Sequence, residues 1–453
     1  MTLRYQLQLN VCLIAAIWTA CAATAMATDN LPAFPGAEGF GAIAKGGRGG
    51  RVIKVTNLDA SGPGSFQAAC AEAGPRIVIF DVAGVIRGDV AIRHSNITVA
   101  GQSAPSPGIT LVGRLLARPQ EGERLKDVVV RFLRVRPPPT SGHTGDAVQL
   151  PHSERVILDH LSLSWANDEM IDIIHSSEVT VQWSTIEESD PTGHDKGVAH
   201  NFAILSAYPG SGNVSIHHNL FAHHSRRLPS LSPGEPDKPG DFRNNVVYNY
   251  RDGLVHDGHK PKAGINLIGN YYKRGPDSET VYPFQFAPAG NYFVSVNYFD
   301  GLGMLSLPMS ATTVVPGWMK ISRHGTLLNR AVDVAPVHTH AAQDAYRMVM
   351  SRAGTWPRDR VTKRTLSEVV EGTGKWGRHA SENPTSEWFL DGMPAGLPEM
   401  DSDGDGIPDR WERKRGLNAH SPADNGRIMK SGYSAVEEYL NERAQQRIVM
   451  LRR

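Results

Sequence analysis

Short apolar segments recur through the middle of the chain, and none is long enough to bury a core alone. Their ranges are 156–163, 179–186, 214–221, 242–247, 265–272 and 293–299. Equivalent positions within them, 23 to 35 residues apart, are Leu161, Ser184, Asn219, Asn245, Asn270 and Asn297. Repeats of this length are typical of solenoids, in which each repeat packs on its neighbours. We therefore predict an all-β fold, a parallel β-helix, with the recurrent asparagines bonded from coil to coil in an internal ladder.

The first residues have the layout of a secretory signal. Residues 1–27 carry Arg4, a mostly apolar stretch from Val11 to Ala25, and small residues ending in Ala27. We expect an exported chain that starts near Thr28, although a membrane anchor remains an alternative. No other apolar run reaches the roughly 18 residues needed to span a bilayer, so no membrane contact is expected of the mature form.

The rest of the chain divides into three predicted regions. Residues 28–310 form the β-helix, which is capped by a short helix within 65–74 that begins at the N-cap Ser65. Cys70 is the only cysteine after the signal, and we interpret it as a buried structural thiol. Residues 311–398 are an irregular extension and linker, with helices predicted at 341–354 and 365–372. Residues 399–445 form a small helical tail.

The tail opens with a calcium-loop pattern. Oxygen donors stand at loop positions 1, 3, 5, 7, 9 and 12, with a glycine at the sharp turn. The predicted ligands are Asp401, Asp403, Asp405, the carbonyl group of Ile407, Asp409 and Glu412. A second loop-like stretch, 430–441, lacks the donors, because Arg427, Met429 and Ser431 stand in their places. We expect that second stretch to bind no metal.

Three carboxylates and one arginine are predicted to meet along one groove. Asp146 and Asp172 are 26 residues apart, which is one coil, and Asp168 lies four residues before Asp172. Arg227 falls two coils later, which places it roughly 10 Å away because stacked strands are spaced by about 4.8 Å. Calcium prefers hard oxygen ligands from several chain segments. The pattern indicates a calcium ion beside a base, although solvated surface aspartates remain an alternative.

Other classes of function fit the sequence less well. Lys plus Arg number 47 and Asp plus Glu number 46, so no overall field attracts nucleic acid or an anionic membrane. The pairs His217–His218 and His223–His224 suggest zinc, but adjacent strand residues point to opposite faces and no cysteine is nearby. We prefer stacking roles for them. The glycine-rich stretch 39–50 lacks the spacing of a nucleotide-binding loop.

Five motifs together resemble one enzyme family. They are FPGAEGFGA (34–42), VAGQSAP (99–105), LDHLSLSW (158–165), DEMIDI (168–173) and HHNLFAHHSRRLP (217–229). They are similar to motifs of the pectate lyases of polysaccharide lyase family 1, and the tail resembles bacterial, secreted members. The resemblance implies a right-handed, single-stranded parallel β-helix. It also implies calcium-dependent β-elimination of α-1,4-linked polygalacturonate, which yields 4,5-unsaturated oligogalacturonates.

The resemblance also implies roles for individual residues. Asp146 and Asp172 match calcium aspartates, Asp168 stands where a glutamate often occurs, and Arg227 matches the catalytic base. The candidate substrate-binding residues are Lys196 and Arg226. Two positions depart from the family pattern: Thr144 replaces an aspartate found in some members, and Ser232 replaces a second arginine.

The implied chemistry makes an expectation about pH. An arginine normally keeps its proton to above pH 12, whereas nearby cations disfavour the protonated form. We therefore expect an alkaline optimum and a monomeric enzyme whose partner is polygalacturonate or a related uronate polymer. Two alternatives stay open: a lyase of methyl-esterified pectin that needs no calcium, and a non-catalytic β-helix that binds polysaccharide.

Overall fold

The computed structural model describes residues 31–138, 145–192, 200–256, 262–309, 314–322, 324–377 and 387–451. Successive coils each contribute up to three short strands, and most strands pair in parallel with their counterparts one coil later. The three sets of strands make three long sheets, named faces A, B and C. The predicted parallel β-helix is confirmed.

Faces A and B adjoin each other around the helix. Face A consists of β1 (Arg51–Val55), β2 (Arg76–Phe80), β5 (Ile97–Ala100), β8 (Leu125–Arg131), β11 (Ser153–Asp159), β14 (Ser177–Gln182), β17 (Gly212–His217), β20 (Gly240–Arg243), β23 (Gly264–Ile268), β26 (Asn291–Phe299) and β29 (Thr326–Leu327). Face B consists of β3 (Gly84–Arg87), β6 (Ile109–Val112), β9 (Leu133–Val135), β12 (Ser162–Ser164), β15 (Thr185–Glu187), β18 (Leu220–His224), β21 (Val246–Tyr250) and β24 (Tyr271–Lys273). The long β26 continues face B and also pairs antiparallel with β27 (Gly303–Leu307).

Face C is the sheet that carries the candidate site. It consists of β4 (Val90–Ile92), β7 (Leu115–Ala117), β10 (Val148–Gln149), β13 (Glu169–Ile174), β16 (Phe202–Ala207) and β19 (Ser230–Leu231), and continues into β22 (Asp252–Leu254), β25 (Val281–Phe284) and β28 (Met319–Ile321). Parallel pairing therefore continues to residues 319–327, somewhat beyond the expected end of the β-helix at 310.

The corner between faces A and B repeats in almost every coil. His160, Trp183 and His218 each adopt a left-handed conformation, with φ of 52°, 50° and 55°. Leu161, Ser184 and Asn219, which follow these residues, lie inside the coil. A backbone rotated to positive φ turns the chain sharply in one residue, which is why the two faces meet at a tight corner.

The predicted asparagine ladder is confirmed. Asn219 donates its side-chain amide to Asn245 Oδ1 at 3.1 Å, and Asn245 donates to Asn270 Oδ1 at 3.1 Å. Asn270 continues the ladder to Asn297 Oδ1 at 2.9 Å. Earlier in the chain, Ser184 Oγ accepts from the Leu161 amide at 3.1 Å. These bonds satisfy polar groups that the coil buries completely.

Rings on successive coils stack outside the same corner. His160 lies 4.7 Å from Phe132 and 6.3 Å from Trp183, measured between ring centroids. Trp183 in turn stacks on His218 at 4.4 Å. The stacking role predicted for His218 is therefore confirmed.

The N-terminal helix α1 (Phe66–Ala71) begins as predicted. Ser65 is its N-cap, and the Ser65 side chain accepts a hydrogen bond from the Ala68 amide at 3.1 Å. Cys70 is fully buried, and burial raises the pKa of its thiol to about 12. A thiol held in its protonated form is a weak nucleophile, so Cys70 is a packing residue.

In the described part of the chain, four further α-helices follow the sheets: α2 (Ala342–Arg352), α3 (Arg360–Glu371), α4 (Asp409–Arg415) and α5 (Ala435–Leu451). The expected start of α3 at 365 was wrong, because Asp359 caps the helix by accepting from the Thr362 amide at 3.0 Å. The buried Asp359 carboxylate also pairs with Arg136 of the β-helix at 2.7 Å, which anchors α3 to the coils. Among the described residues, no helix combines the length and the apolar character needed to cross a membrane.

Candidate active site on face C

The predicted carboxylates lie at the edges of two neighbouring strands of face C. Asp146 stands two residues before β10, and Asp168 directly precedes β13. Asp172 lies within β13, between the core residues Ile171 and Ile173. Because side chains alternate along a strand, Asp172 points to the outer side of the sheet. All three are therefore on the outside of one face.

The register between these strands differs from the expected one. Gln149 of β10 pairs with Asp172, and the Glu169 amide donates to Asp146 Oδ1 at 3.0 Å. The coil is thus 23 residues long here, and the expected 26-residue register was wrong. Asp146 consequently lies beside Glu169, and Asp172 lies beside Gln149.

The carboxylate cluster contains one residue that the sequence analysis missed. Oxygen atoms of Asp146, Asp168 and Glu169 all lie within 4.8 Å of one another. Burial, followed by repulsion from Asp168, raises the pKa of Asp146 to about 8. Burial, followed by the charges of Asp146 and Asp168, raises the pKa of Asp172 to about 8. The four acids therefore share one electrostatic environment that favours a cation.

Arg227 reaches this cluster from the coil of β19. Its backbone has a left-handed φ of 61°, and its carbonyl oxygen accepts from the Ile204 amide at 2.9 Å. The guanidinium lies 4.5 Å from the centre of the Phe202 ring and forms an ion pair with Glu169. Phe202 is the register partner of Glu169, so the arginine crosses one strand to meet the acids. The predicted proximity of Arg227 and the aspartates is present.

A cavity of about 510 Å³ lies beside Phe202, whose ring contacts the Arg227 guanidinium. Phe202, Arg226, Arg251 and Trp376 are among its lining residues. Arg226 and Arg251 share the carboxylate of Asp252, at 3.3 Å and 2.9 Å. The cavity therefore offers two guanidinium groups beside aromatic rings, a combination suited to an anionic sugar.

Trp376 is held in place by hydrogen bonds from both its backbone and its ring. The indole Nε1 donates to the Asn249 carbonyl oxygen at 2.6 Å, and the Trp376 amide donates to Asp277 at 2.7 Å. Its position after α3 means that the helical extension contributes to a cavity on the β-helix.

Cations also lie on the other side of the acid cluster. Arg114 and Arg118 flank β7, and the charge of the Asp146 carboxylate acts on both guanidinium groups. Arg114 is paired with Asp89 at 2.5 Å. The acidic centre is thus bordered along face C by arginines on earlier and on later coils. A polyanion can be met locally in this way although the net charge is only +1.

The other predicted positions have different outcomes. Lys196 and Thr144 lie outside the described residues, as does the 1–27 signal. Ser232 is completely buried, and its amide donates to the Ser206 carbonyl oxygen at 2.8 Å. Glu169 could have been found from its place next to Asp168 in DEMIDI. Trp376 carries no local signal, because only folding brings it to the cavity.

The residues present fit a calcium ion. The donors are carboxylates from two chain segments, and the described cluster contains no nitrogen or sulfur ligand. Among the described residues, none donates a hydrogen bond to the buried Asp172 Oδ1. Calcium prefers hard oxygen ligands such as these carboxylates. The Asp172 oxygen that receives no hydrogen bond is available to bind such an ion.

The tail has a second acidic cluster, which differs in part from the prediction. Asp401, Asp403 and Asp405 have oxygen atoms within 4.8 Å of one another, and so do Asp405, Glu412 and Asp424. Asp424 was not predicted. Asp409 instead accepts hydrogen bonds from the amide and hydroxyl groups of Ser402, at 2.7 Å and 2.9 Å, and is outside both groups. The carbonyl group of Ile407 stays a predicted ligand.

Comparison with known proteins identifies the family. No family model matches the chain. The probable pectate lyase C of Aspergillus fumigatus is 33% identical over 433 residues, which cover 93% of this chain and 96% of that protein. The probable pectate lyase C of Aspergillus flavus is 32% identical over 425 residues, covering 91% and 94%. The structure of Jun a 1, the major allergen from cedar pollen, is 16% identical with a TM-score of 0.47, covering 70% of this chain and 92% of that one.

The likeness to the fungal proteins extends over almost the whole length of both chains, and it includes the strands that carry the acids and Arg227. The chain belongs to the pectate lyase family of polysaccharide lyases.

Proposed function

We propose that the protein is a calcium-dependent pectate lyase that cleaves α-1,4-linked polygalacturonate by β-elimination, giving 4,5-unsaturated oligogalacturonates. The observation that carries this proposal is the convergence of Asp146, Asp168 and Glu169 beside Arg227 on the outside of face C. An acidic centre alone would repel a uronate polymer. An acidic centre built for a divalent cation would instead bind the substrate carboxylate through that cation.

Asp146, Asp168, Glu169 and Asp172 would hold the calcium ion. When bound, calcium supplies charge neutralisation for the uronate carboxylate and for the negative charge that develops when the adjacent proton is removed. Gln149 donates to Asp146 Oδ2 at 3.0 Å and so orients this carboxylate. A ligand that is already oriented loses little freedom when the ion binds.

Arg227 would remove the proton next to the uronate carboxylate. Its position over Phe202 fixes the guanidinium above the sheet, beside the acids rather than among the core residues. When Glu169 contributes to the metal site, the guanidinium loses the pull of this carboxylate and can turn toward substrate. The neutral guanidine would accept the proton as the C–H bond breaks. The C–H electron pair would form the new double bond, and the glycosidic oxygen would leave with the electron pair of its broken bond and take a proton from water.

The flanking arginines would position the polymer. Arg226 and Arg251 face the cavity next to Arg227, where a sugar ring could lie against Trp376. Arg114 and Arg118 would attract uronate units on the opposite side of the metal. Lys196 remains a predicted substrate ligand. We further propose that residues 1–27 direct export and that the mature enzyme acts outside the cell as a monomer.

The proposal is tested with purified protein on polygalacturonate and on methyl-esterified pectin, each with calcium and with chelator. We expect ultraviolet-absorbing unsaturated product only from polygalacturonate with calcium. Product formation that persists in chelator, or that occurs only on the methyl ester, contradicts the proposal.

Arg227→Lys tests the base within the same assay. It keeps the positive charge but removes the planar fork, so we expect kcat to fall by about 10²–10⁴-fold, the usual contribution of a general base. Arg347→Lys is the matched control, because Arg347 lies on the exposed face of α2.

A further inference from the structure

The tail cluster is built around a carboxylate that is buried without a partner. Glu412 is 0% exposed, and no described residue donates a hydrogen bond to either of its carboxylate oxygens. Asp405, which is 4% exposed, also has one oxygen without a donor. A buried unpaired carboxylate is strongly unfavourable. Oxygen atoms of Glu412 and Asp405 lie within 4.8 Å of each other, and a cation between them would neutralise both carboxylates.

The loop backbone uses some carboxylate oxygens and leaves others for a ligand. The amides of Gly404 and Gly406 donate to the two oxygens of Asp401 at 2.8 Å and 2.9 Å, and the Ile407 amide donates to Asp405 Oδ1 at 2.8 Å. These bonds curl the loop around its centre. Gly406 has φ of 97°, and a side chain there would meet Val52 at 2.8 Å. The loop backbone therefore bonds to the carboxylates inside the loop, and its Gly406 packs closely against β1.

Asp424 joins the cluster from a different part of the tail. One of its oxygens accepts from the Asn418 amide at 2.9 Å, and the neighbouring Asn425 donates to the Asp405 carbonyl oxygen at 3.1 Å. Three pieces of chain therefore converge: the 401–405 loop, α4 through Glu412, and the segment before α5. A cation between them would tie all three together.

Adjoining parts of the tail pack on the first coils of the β-helix. Ile77 and Ile79 of β2 and Ala100 of β5 form an apolar cluster with tail residues. The tail residues of this cluster are Ile407, Leu417, Ala435, Val436, Tyr439 and Leu440. Polar bonds surround it: Lys54 of β1 pairs with Asp401 at 2.6 Å, and Arg48 pairs with Glu437 at 2.8 Å.

From this geometry we propose that Asp401, Asp403, Asp405, Glu412 and Asp424 form a second calcium site, and that calcium there fastens the tail to the first coils. All five donors are hard carboxylate oxygens, the ligands that calcium prefers. Without the ion, mutual repulsion of the five acids opens the loop and withdraws Ile407 from the apolar cluster. This inference is independent of the proposed lyase activity, because it concerns a different site and a different measurement.

The ligand set is tested by counting calcium bound per chain. The full-length protein is stripped of metal and dialysed against calcium. We expect Glu412→Gln and Asp424→Asn each to bind one calcium fewer than the wild type. Asp409→Asn is the matched control and should bind as much as the wild type. Equal binding by the wild type and Glu412→Gln would overturn the site, and loss in Asp409→Asn but not in Asp424→Asn would overturn this ligand set.

The fastening role is tested by hydrogen exchange of the same proteins in calcium and in chelator. We expect calcium to slow exchange in residues 401–412 and in α5 of the wild type by at least about tenfold, and to have no such effect in Glu412→Gln. If calcium binds but exchange in α5 stays unchanged, the proposal that calcium fastens the tail is refuted. If Glu412→Gln does not fold, the comparison is made between Asp424→Asn and the wild type, each in calcium and in chelator, with the same expected outcomes.

Discussion

Glu169 connects the two halves of the candidate active site. Its carboxylate belongs to the acidic cluster and also pairs with Arg227, while its amide holds Asp146 at 3.0 Å. One residue therefore links the acidic cluster to the proposed base. The ion pair with Glu169 makes Arg227 a counter-charge of the cluster.

We predict that Glu169→Gln weakens the activation of the enzyme by calcium. The amide keeps the shape of the side chain but removes a negative charge, so the calcium concentration needed for half-maximal activity should rise by about tenfold or more. Glu121→Gln, at an exposed position, is the control. The assignment of Glu169 to the metal site fails if both variants need the same calcium concentration as the wild type.

Trp376 should contribute to substrate binding rather than to chemistry. We predict that Trp376→Ala raises KM for polygalacturonate by about tenfold, because the apolar face beside Arg226 and Arg251 is lost. Trp376→Phe retains an aromatic face and should keep most of the affinity. Steady-state kinetics separate KM from kcat, and a selective fall in kcat would argue against a role in binding.

At the scale of the elements, the asparagine ladder joins coils that have no disulfide between them. The side-chain amides of Asn219, Asn245 and Asn270 each donate to a carbonyl oxygen of the preceding coil and to the asparagine of the next coil. Asn245 accepts from the Asn219 amide at 3.0 Å and donates to the Ile216 carbonyl oxygen at 2.8 Å. The ladder therefore fixes the register of faces A and B relative to their neighbours.

We predict that Asn245→Ala lowers the free energy of unfolding by about 2–4 kcal/mol. The substitution leaves a buried amide and a buried carbonyl group without partners, and each costs about 1–3 kcal/mol. Denaturant unfolding monitored by circular dichroism gives the value. Asn329→Ala, at an exposed position, should change stability by less than about 0.5 kcal/mol. A similarly small change in Asn245→Ala would contradict the structural role of the ladder.

At the scale of the whole molecule, buried histidines make stability depend on pH. The His224 ring is fully buried between Ser189 Oγ at 2.7 Å and the Ile186 carbonyl oxygen at 2.9 Å. Burial, opposed in part by the Ile186 bond, lowers the pKa of His224 to about 3. Burial likewise lowers the pKa of His217 to about 4. Both rings are neutral in the folded protein and become protonated on unfolding in mild acid.

We predict that His224→Gln makes stability less sensitive to acid. Below the ordinary histidine value of 6.5, the unfolded chain binds a proton that the folded chain does not bind, so stability falls as pH falls from 6.5 toward about 3. The slope is about 1.4 kcal/mol per pH unit for each such group. Urea unfolding at several pH values should show the slope reduced by this amount, whereas His420→Gln at the surface should leave it unchanged. An unaltered slope in His224→Gln would contradict the burial of a neutral ring.

The sequence was sufficient for features that repeat or that lie close together in the chain. The spacing of Leu161, Ser184 and Asn219 predicted the stacked coils, because a solenoid places equivalent residues in contact with each other. The Ser65 cap likewise depended only on its own turn. Arg227 was expected near the acids because the repeat length carries it there.

Only the tertiary structure decided which side chains contact each other where the contact depends on strand register or on the docking of a distant segment. A shift of three residues between β10 and β13 placed Glu169, not Asp172, beside Asp146. Asp424 replaced Asp409 in the tail cluster, and Trp376 reached the cavity only through the packing of α3. Local sequence does not contain these contacts, since loop lengths and the docking of distant helices set them. The sequence by itself determined the repeating scaffold, whereas folding chose which side chains from separate coils share one charge environment.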